Sequence, residues 1–375
     1  MTAPVLFKTL ECRQGRNIGV ITLNAEKTLN SLTLEMIDLI YQQLISWRID
    51  DSIGVVLINA SGEKAFCAGG DVQALHASAL SKPGGPCEYA ESFFTREYRL
   101  NYLLHSYAKP IICWGHGIVM GGGLGILAAC SHRIVTEKTR IAMPEVSIAL
   151  FPDVGGSWFL NRMPGKSGVF LALTGASINA TDSLFTGIAD DFICQQYYLK
   201  FIDALTELTL TDDDKENHHR LSNTITPFSV ASKDSIPAGN VELNIDEINR
   251  LCGTANAFET IGNISSLQTD NSWLSKAKNG LANGSPLGAL IIFRQLQMSQ
   301  DFSLAEVFQS EIQLATHIIR YPEFSEGVRA LLIDKDKKPQ WQFNSTREVS
   351  GETVDQFFST PNTGSTWPIN PLADL

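Results

Sequence analysis

Two acids stand in one of the most apolar stretches of the chain. In IAMPEVSIALFPDVGG, residues 141 to 156, Glu145 and Asp153 lie eight residues apart, with no Lys, Arg or His among them. Carboxylates are rarely buried without a partner. Burial disfavours the charged form and moves a carboxyl pKa up, towards the range where it exchanges protons near neutrality. The pair is therefore a candidate for acid–base or nucleophilic work. A quieter reading stays open. Asp153, just ahead of Val-Gly-Gly, would cap a helix N-terminus, and Glu145, after Pro144 at a strand end, would pair with a distant Arg.

Two glycine clusters form the second constellation. Phe66-Cys-Ala-Gly-Gly-Asp71 follows a strand-like run, and Gly121-Gly122-Gly123 opens a helix of small residues. Glycine allows positive φ and lets a ligand approach the main chain, and a helix start leaves N–H groups without intrahelical partners. One N–H from each cluster would hold the oxyanion of a thioester carbonyl under attack, each donor contributing roughly 2.7–4 kcal/mol. Tight turns and close helix packing would use the same residues. Rival motifs are weaker. Gly115, Gly117 and Gly121 have the wrong spacing for GxGxxG, and Leu160 occupies the first glycine position of the phosphate loop that would end in Gly165-Lys166-Ser167. His116 reads as a hydrogen-bonded structural histidine. There is no HExxH or GxSxG motif, and Ser157 has no evident base.

These residues sit among alternating short elements. Ile18–Leu23, Val55–Ile58, Pro110–Trp114, Arg133–Thr136 and Ile141–Met143 read as strands. The spacing of Leu34, Ile37, Tyr41, Leu44 and Trp47 predicts a helix capped by Ser31 or Thr33. The alternation predicts an α/β layered core over residues 1–200. After it the composition turns polar and acidic at 211–219, read as a solvated connection or helix end. Helical patterns at 245–251, 289–298 and 304–319 predict a mostly helical region over 201–350. Residues 351–375, rich in Ser, Thr, Pro and Asn, are expected to be a loosely ordered tail.

Composition narrows the function classes. With 44% hydrophobic and 18% charged residues the chain is of globular type, and a net charge of −11 argues against nucleic-acid or anionic-membrane binding. No apolar run is long enough to span a membrane. Seven scattered cysteines without metal-like spacing, and an N-terminus lacking a signal or transit layout, lead to the expectation of a cytoplasmic protein with reduced thiols and no metal.

The succession AFCAGGDV, AKPIICWGHGIVMGGGLGILAAC, IAMPEVSIALFPDVGG and LTGASINATDSL resembles the enoyl-CoA hydratase/isomerase (crotonase) superfamily over residues 5–200. The resemblance implies a core spiral of ββα turns that binds acyl-CoA, with Gly70 and Gly122 supplying the oxyanion-hole N–H groups. It places substrate and CoA contacts at Lys27, Ala68, Asp71 and Gly121, with coenzyme A part of the substrate and no separate cofactor. Hydratases of the superfamily carry a first catalytic glutamate where this chain has Gly125, and a second that falls on Glu145. PEVSIALFPDVGG and the distant FSEGVRALLIDKDKKPQW (324–341) are similar to its 3-hydroxyisobutyryl-CoA hydrolase sub-family. That similarity implies thioester hydrolysis in valine breakdown, with Glu145 as base or nucleophile and Asp153 on the substrate's 3-hydroxyl. An enoyl-CoA hydratase or isomerase and a non-catalytic acyl-CoA-binding protein stand as alternatives. The superfamily's trimers and their dimers make a homo-oligomer an open expectation.

Overall fold

The structure, a computed structural model, describes residues 3–361 and 372. Strands β1 (Val5–Leu10), β2 (Asn17–Leu23) and β3 (Ile53–Ala60) are rich in Val, Ile and Leu, with α1 (Leu34–Arg48) between the last two. Of the two expected caps for α1, Thr33 serves: its hydroxyl accepts the Met36 N–H. The chain continues through β4 (Ala65–Cys67), α2 (Val72–Ser81), α3 (Glu88–His105), β5 (Ile111–Gly115), β6 (Ile118–Met120) and α4 (Gly122–Ala129). Next come β7 (His132–Val135), β8 (Arg140–Ala142), α5 (Gly156–Leu160), β9 (Asp191–Phe192) and α6 (Asp214–Ser232). The later helices include α7 (Pro286–Met298), α8 (Leu304–Arg320) and α9 (Pro322–Val328).

The chain forms two compact units, each assembled from separated segments. One comprises residues 1–70, 100–141 and 178–242, the other 71–99, 142–177 and 243–375. The sequence suggested a boundary near residue 200; the contacts instead interleave the segments, and 71–99 and 142–177 belong with the C-terminal helices. The first unit holds a six-stranded sheet in the order β1-β2-β3-β5-β7-β9. Only β1 is antiparallel to its neighbour. One face of this sheet buries Ile18, Val20, Val55, Leu57, Ile112, Trp114 and Ile134 against Phe201, Leu205, Leu221 and Ile225. Each such side chain contributes roughly 1.5–3 kcal/mol by leaving water. A three-stranded sheet runs β4-β6-β8, with β4 and β6 parallel.

The acidic stretch 211–219, read as a solvated connection or a helix end, is a helix end. Asp213 caps α6 through the N–H groups of Lys215 and Glu216, and Asn217, fully buried, accepts the Thr211 N–H. Helix α6 runs on through Pro227. Gly351–Phe357 is a helix capped by Ser350, so the tail begins ordered. Its further part, 362–371 and 373–375, lies outside the described residues. Helix α3, which carries site residues, was not anticipated.

Candidate active site

In the first unit the glycine clusters meet because their strands are parallel neighbours. Both β4 and β6 end towards the same edge, so the loops that follow leave side by side. A Cβ on Gly69 would lie 3.4 Å from the Met120 carbonyl oxygen, and one on Gly123 only 2.4 Å from that of Cys67. No other residue type fits at 123. Gly121 (φ +47°) precedes α4 without offering a side-chain cap, so the first N–H groups of α4 stay open. Among the described residues the N–H groups of Gly70 and Gly122 have no backbone acceptor. The unit thus brings the loops that carry Gly70, Gly121 and Gly122 together. Gly125 is buried one turn into α4, its N–H donating to the Gly121 carbonyl.

Of the residues expected to contact substrate and CoA, Lys27, Ala68 and Gly121 lie in the first unit and Asp71 does not. Asn30 accepts the Ala25 N–H and donates to the carbonyls of Ser61 and Ala65, tying the 24–30 loop to β4. The Ala68 N–H is taken by Leu29. Lys27 is exposed, with no ion pair among the described residues. Asp71 opens the second unit and caps α2, accepting the Ala74 N–H at 3.2 Å. His116 behaves as the structural histidine expected, its Nε2 against the Gly62 carbonyl at 2.8 Å. The Gly165-Lys166-Ser167 turn is no phosphate loop, because the Lys166 N–H is held by Asn249.

The second unit holds the acids. Glu145 opens a 3-10 turn, Glu145–Ile148, that closes on Ala149 in the left-handed region. The C-terminal helices fix this turn. The Ser285 N–H donates to the Val146 carbonyl, and a Cβ on Gly327 of α9 would lie 2.6 Å from Ile148 Cα. Glu145 is 6% exposed, and its Oε2 has no hydrogen-bond partner. Burial, then the Asp153 charge, holds its carboxyl well above the usual range, against a smaller opposing effect from its own N–H. Asp153 is 4% exposed and accepts the Tyr98 hydroxyl at 2.7 Å. Burial pushes it up to about 6, against that hydrogen bond. Neither quieter reading survives here: Glu145 and Asp153 make no ion pair among the described residues, and the side chain of Asp153 goes to Tyr98, not to a helix end.

Three participants escaped the sequence reading. Glu97 and Tyr98 come from α3, and Glu311 from α8. Glu97 is 3% exposed, its Oε1 without a partner. Burial raises its pKa well above the usual value, with further contributions from Asp153 and then Glu145. Tyr98 is raised as well, first by burial and then by Asp153, so it remains a hydroxyl donor. Glu311 accepts the Gly155 N–H at 2.8 Å and the Ser157 N–H at 3.0 Å. Burial pushes it up to about 8, against those bonds. The signal for two of them was there. Glu97 falls on the apolar stripe Ala90, Phe93, Phe94, Tyr98, and Glu311 on the stripe Val307, Phe308, Ile312, Ala315. A Glu at a position that helical periodicity assigns to the core marks a buried acid.

Three facing carboxyls in an apolar wall cannot all ionise at modest cost, so protons are shared among Glu97, Glu145 and Asp153 and the group titrates as a set. Such a set holds one member ionised as a base or nucleophile while another stays protonated.

Comparison with known proteins gives the family. A profile of the enoyl-CoA hydratase/isomerase family matches residues 18–358. A human protein named 3-hydroxyisobutyryl-CoA hydrolase, mitochondrial, is 39% identical over 91% of this chain and 86% of its own. Its namesake from Danio rerio is 38% identical over 91% and 87%. Among solved structures, an enoyl-CoA hydratase from Rhodobacter sphaeroides superposes with a TM-score of 0.81 at 32% identity, covering 96% of this chain and 98% of its own. A carnitinyl-CoA dehydratase from Mycobacterium thermoresistibile gives 0.84 at 29%, with the same coverage.

Proposed function

The chain belongs to the enoyl-CoA hydratase/isomerase family, and from that premise we propose that it hydrolyses the thioester of a short 3-hydroxyacyl-CoA. The substrate is 3-hydroxyisobutyryl-CoA and the products are 3-hydroxyisobutyrate and coenzyme A, a step of valine breakdown. One observation carries the choice within the family. Glu145 sits buried beside a tyrosine-bound Asp153, while the position of the other hydratase glutamate is Gly125, inside α4. Adding water across an alkene with one glutamate missing is the weaker reading.

Each group then has a role. The Gly70 and Gly122 N–H groups stabilise the oxyanion that forms as the carbonyl carbon is attacked. Ionised Glu145 either takes a proton from the attacking water or attacks the carbon itself. In the first route the C–S bond breaks and the proton leaves with the CoA thiol. In the second, CoA leaves first and water then opens the acyl–Glu145 anhydride. Asp153, one oxygen on Tyr98, accepts the substrate's 3-hydroxyl. A site built to bind that hydroxyl discriminates against acyl groups lacking it, because its own polar atom is then left unpaired. Ala68, Asp71, Gly121 and Lys27 line the CoA side. Water is the only co-reactant, and coenzyme A arrives as part of the substrate.

Thiol release from a panel of acyl-CoAs tests this. 3-Hydroxyisobutyryl-CoA and 3-hydroxypropionyl-CoA should turn over well and isobutyryl-CoA far more slowly. Fast hydration of crotonyl-CoA with no thiol release would replace this reading by the hydratase. After a single turnover in ¹⁸O-water, label in Glu145 marks the anhydride route, with water attacking the Glu145 carbonyl, because the general-base route puts the label in the product alone. The cytoplasmic expectation gains no support from the relatives, whose names carry the word mitochondrial. We keep only a reducing compartment, suited to seven unbridged cysteines.

A further inference from the structure

We propose that Glu311 is a positioning residue for Asp153, acting through the strained turn that joins Asp153 to α5. The inference rests on the role given to Asp153 above. Val154 follows Asp153 at φ +52° and is fully buried, and Gly155 continues at +84°. A β-branched residue in the left-handed region is a true outlier and persists only where its surroundings over-determine it. Here the over-determination has an identifiable source. Gly155, the N-cap residue of α5, has no side chain to accept the open N–H groups of the helix start, and the acid nearest to it in sequence is Asp153. Asp153 instead holds its carboxylate on Tyr98. The N–H groups of Gly155 and Ser157 are taken one by each oxygen of Glu311.

A fully buried carboxyl brought from a distant helix is an expensive substitute for a local cap. What it achieves is to pin the turn after Asp153 from the far side, so that the Asp153 carboxylate stays on Tyr98 and is left for a ligand. The same helix supports the other side of Asp153. Phe308, one turn before Glu311, lies with its ring centroid 6.1 Å from that of Tyr98. Gln295 of α7 completes the clamp, its amide donating to the hydroxyls of Ser157 and Ser310. Every one of these groups belongs to the second unit.

The test is the Glu311→Gln enzyme, which keeps the shape of the side chain but sets an amide NH₂ against one backbone N–H. The readout is the ratio of kcat/KM for 3-hydroxyisobutyryl-CoA to that for isobutyryl-CoA. This ratio cancels any loss of folded enzyme. If Glu311 aims Asp153 at the 3-hydroxyl, the ratio falls about tenfold or more in Glu311→Gln. In an Asp153→Asn background the same change then costs under about threefold, since coupled residues are non-additive. Equal losses on both substrates, or a full loss when Asp153 is already gone, would overturn the proposal and leave Glu311 a structural cap. An unchanged ratio in Asp153→Asn alone would remove the reading of Asp153 and this inference with it. Should Glu311→Gln fail to accumulate, Glu311→Asp, which keeps the acid one methylene short, carries the same ratio test.

Discussion

The glycine loops of the first unit and the acid cluster of the second build chemistry from opposite materials. The loops use only main-chain N–H groups, held by the parallel pairing of β4 with β6 and by glycines at which a Cβ would strike backbone. Their donors carry no titratable charge, and their tolerance is set by sterics. The cluster uses side chains from α3, the 141–156 segment and α8, and each acid is shifted by burial and most by another acid as well. Its tolerance is set by electrostatics, and pH is its natural perturbant. The difference shows that main-chain donors can be locally encoded while a cluster of buried acids depends on long-range assembly.

Substitutions can sharpen this contrast or break it. Glu145→Gln should have the largest effect, lowering kcat by about 10²–10⁴-fold with the circular dichroism spectrum unchanged. Near-normal turnover would remove the centre of the mechanism. Gly122→Pro deletes one N–H at the first position of α4, where proline is tolerated. It should cost about 10²–10³-fold in kcat, with no change in the pH profile. A moved profile would mean that the loops are not independent of charge.

Acidification gives a smaller effect. Under the proposed mechanism ionised Glu145 is the active form, and its pKa is raised, so kcat/KM should fall through an inflexion above the ordinary carboxylate range. An inflexion near 4.5, the unperturbed value, would mean that the cluster is solvated in use. The smallest effect concerns stability. Glu97 has a higher pKa folded than unfolded, so its contribution is full below the unfolded value and is lost as pH rises through the folded one. Glu97→Gln should therefore raise the unfolding midpoint by about 1–3 °C at pH 8, and that gain should shrink towards pH 4. A gain independent of pH would assign it to packing instead.

How much of this was legible follows the same division. The glycine loops could be read because a short segment contains both the strand end and the turn, and the need for glycine is local. Glu145 and Asp153 could be read because a charge in an apolar run is conspicuous. The α/β core followed from strand periodicity. Glu97, Tyr98 and Glu311 lay in helices whose overall polarity hid one acid on the buried face. Their partners are 55 and 156 residues away in sequence, a distance no local pattern spans. The interleaving of segments 71–99 and 142–177 with the C-terminal helices was invisible for the same reason. The acidic run at 211–219 left two readings open, solvated connection or helix end, because composition does not show which acid accepts helix N–H groups; Asp213 does.

The crowding of carboxyls has a consequence for the end of the catalytic cycle. Under the proposed reaction a neutral acyl group is converted into an anion beside three acids that already compete for protons. The hydroxy acid is then repelled at the moment it forms. Departure of that product is favoured by the same charges that perform the hydrolysis, and its return to the enzyme is opposed except at low pH, where the wall and the product are both protonated.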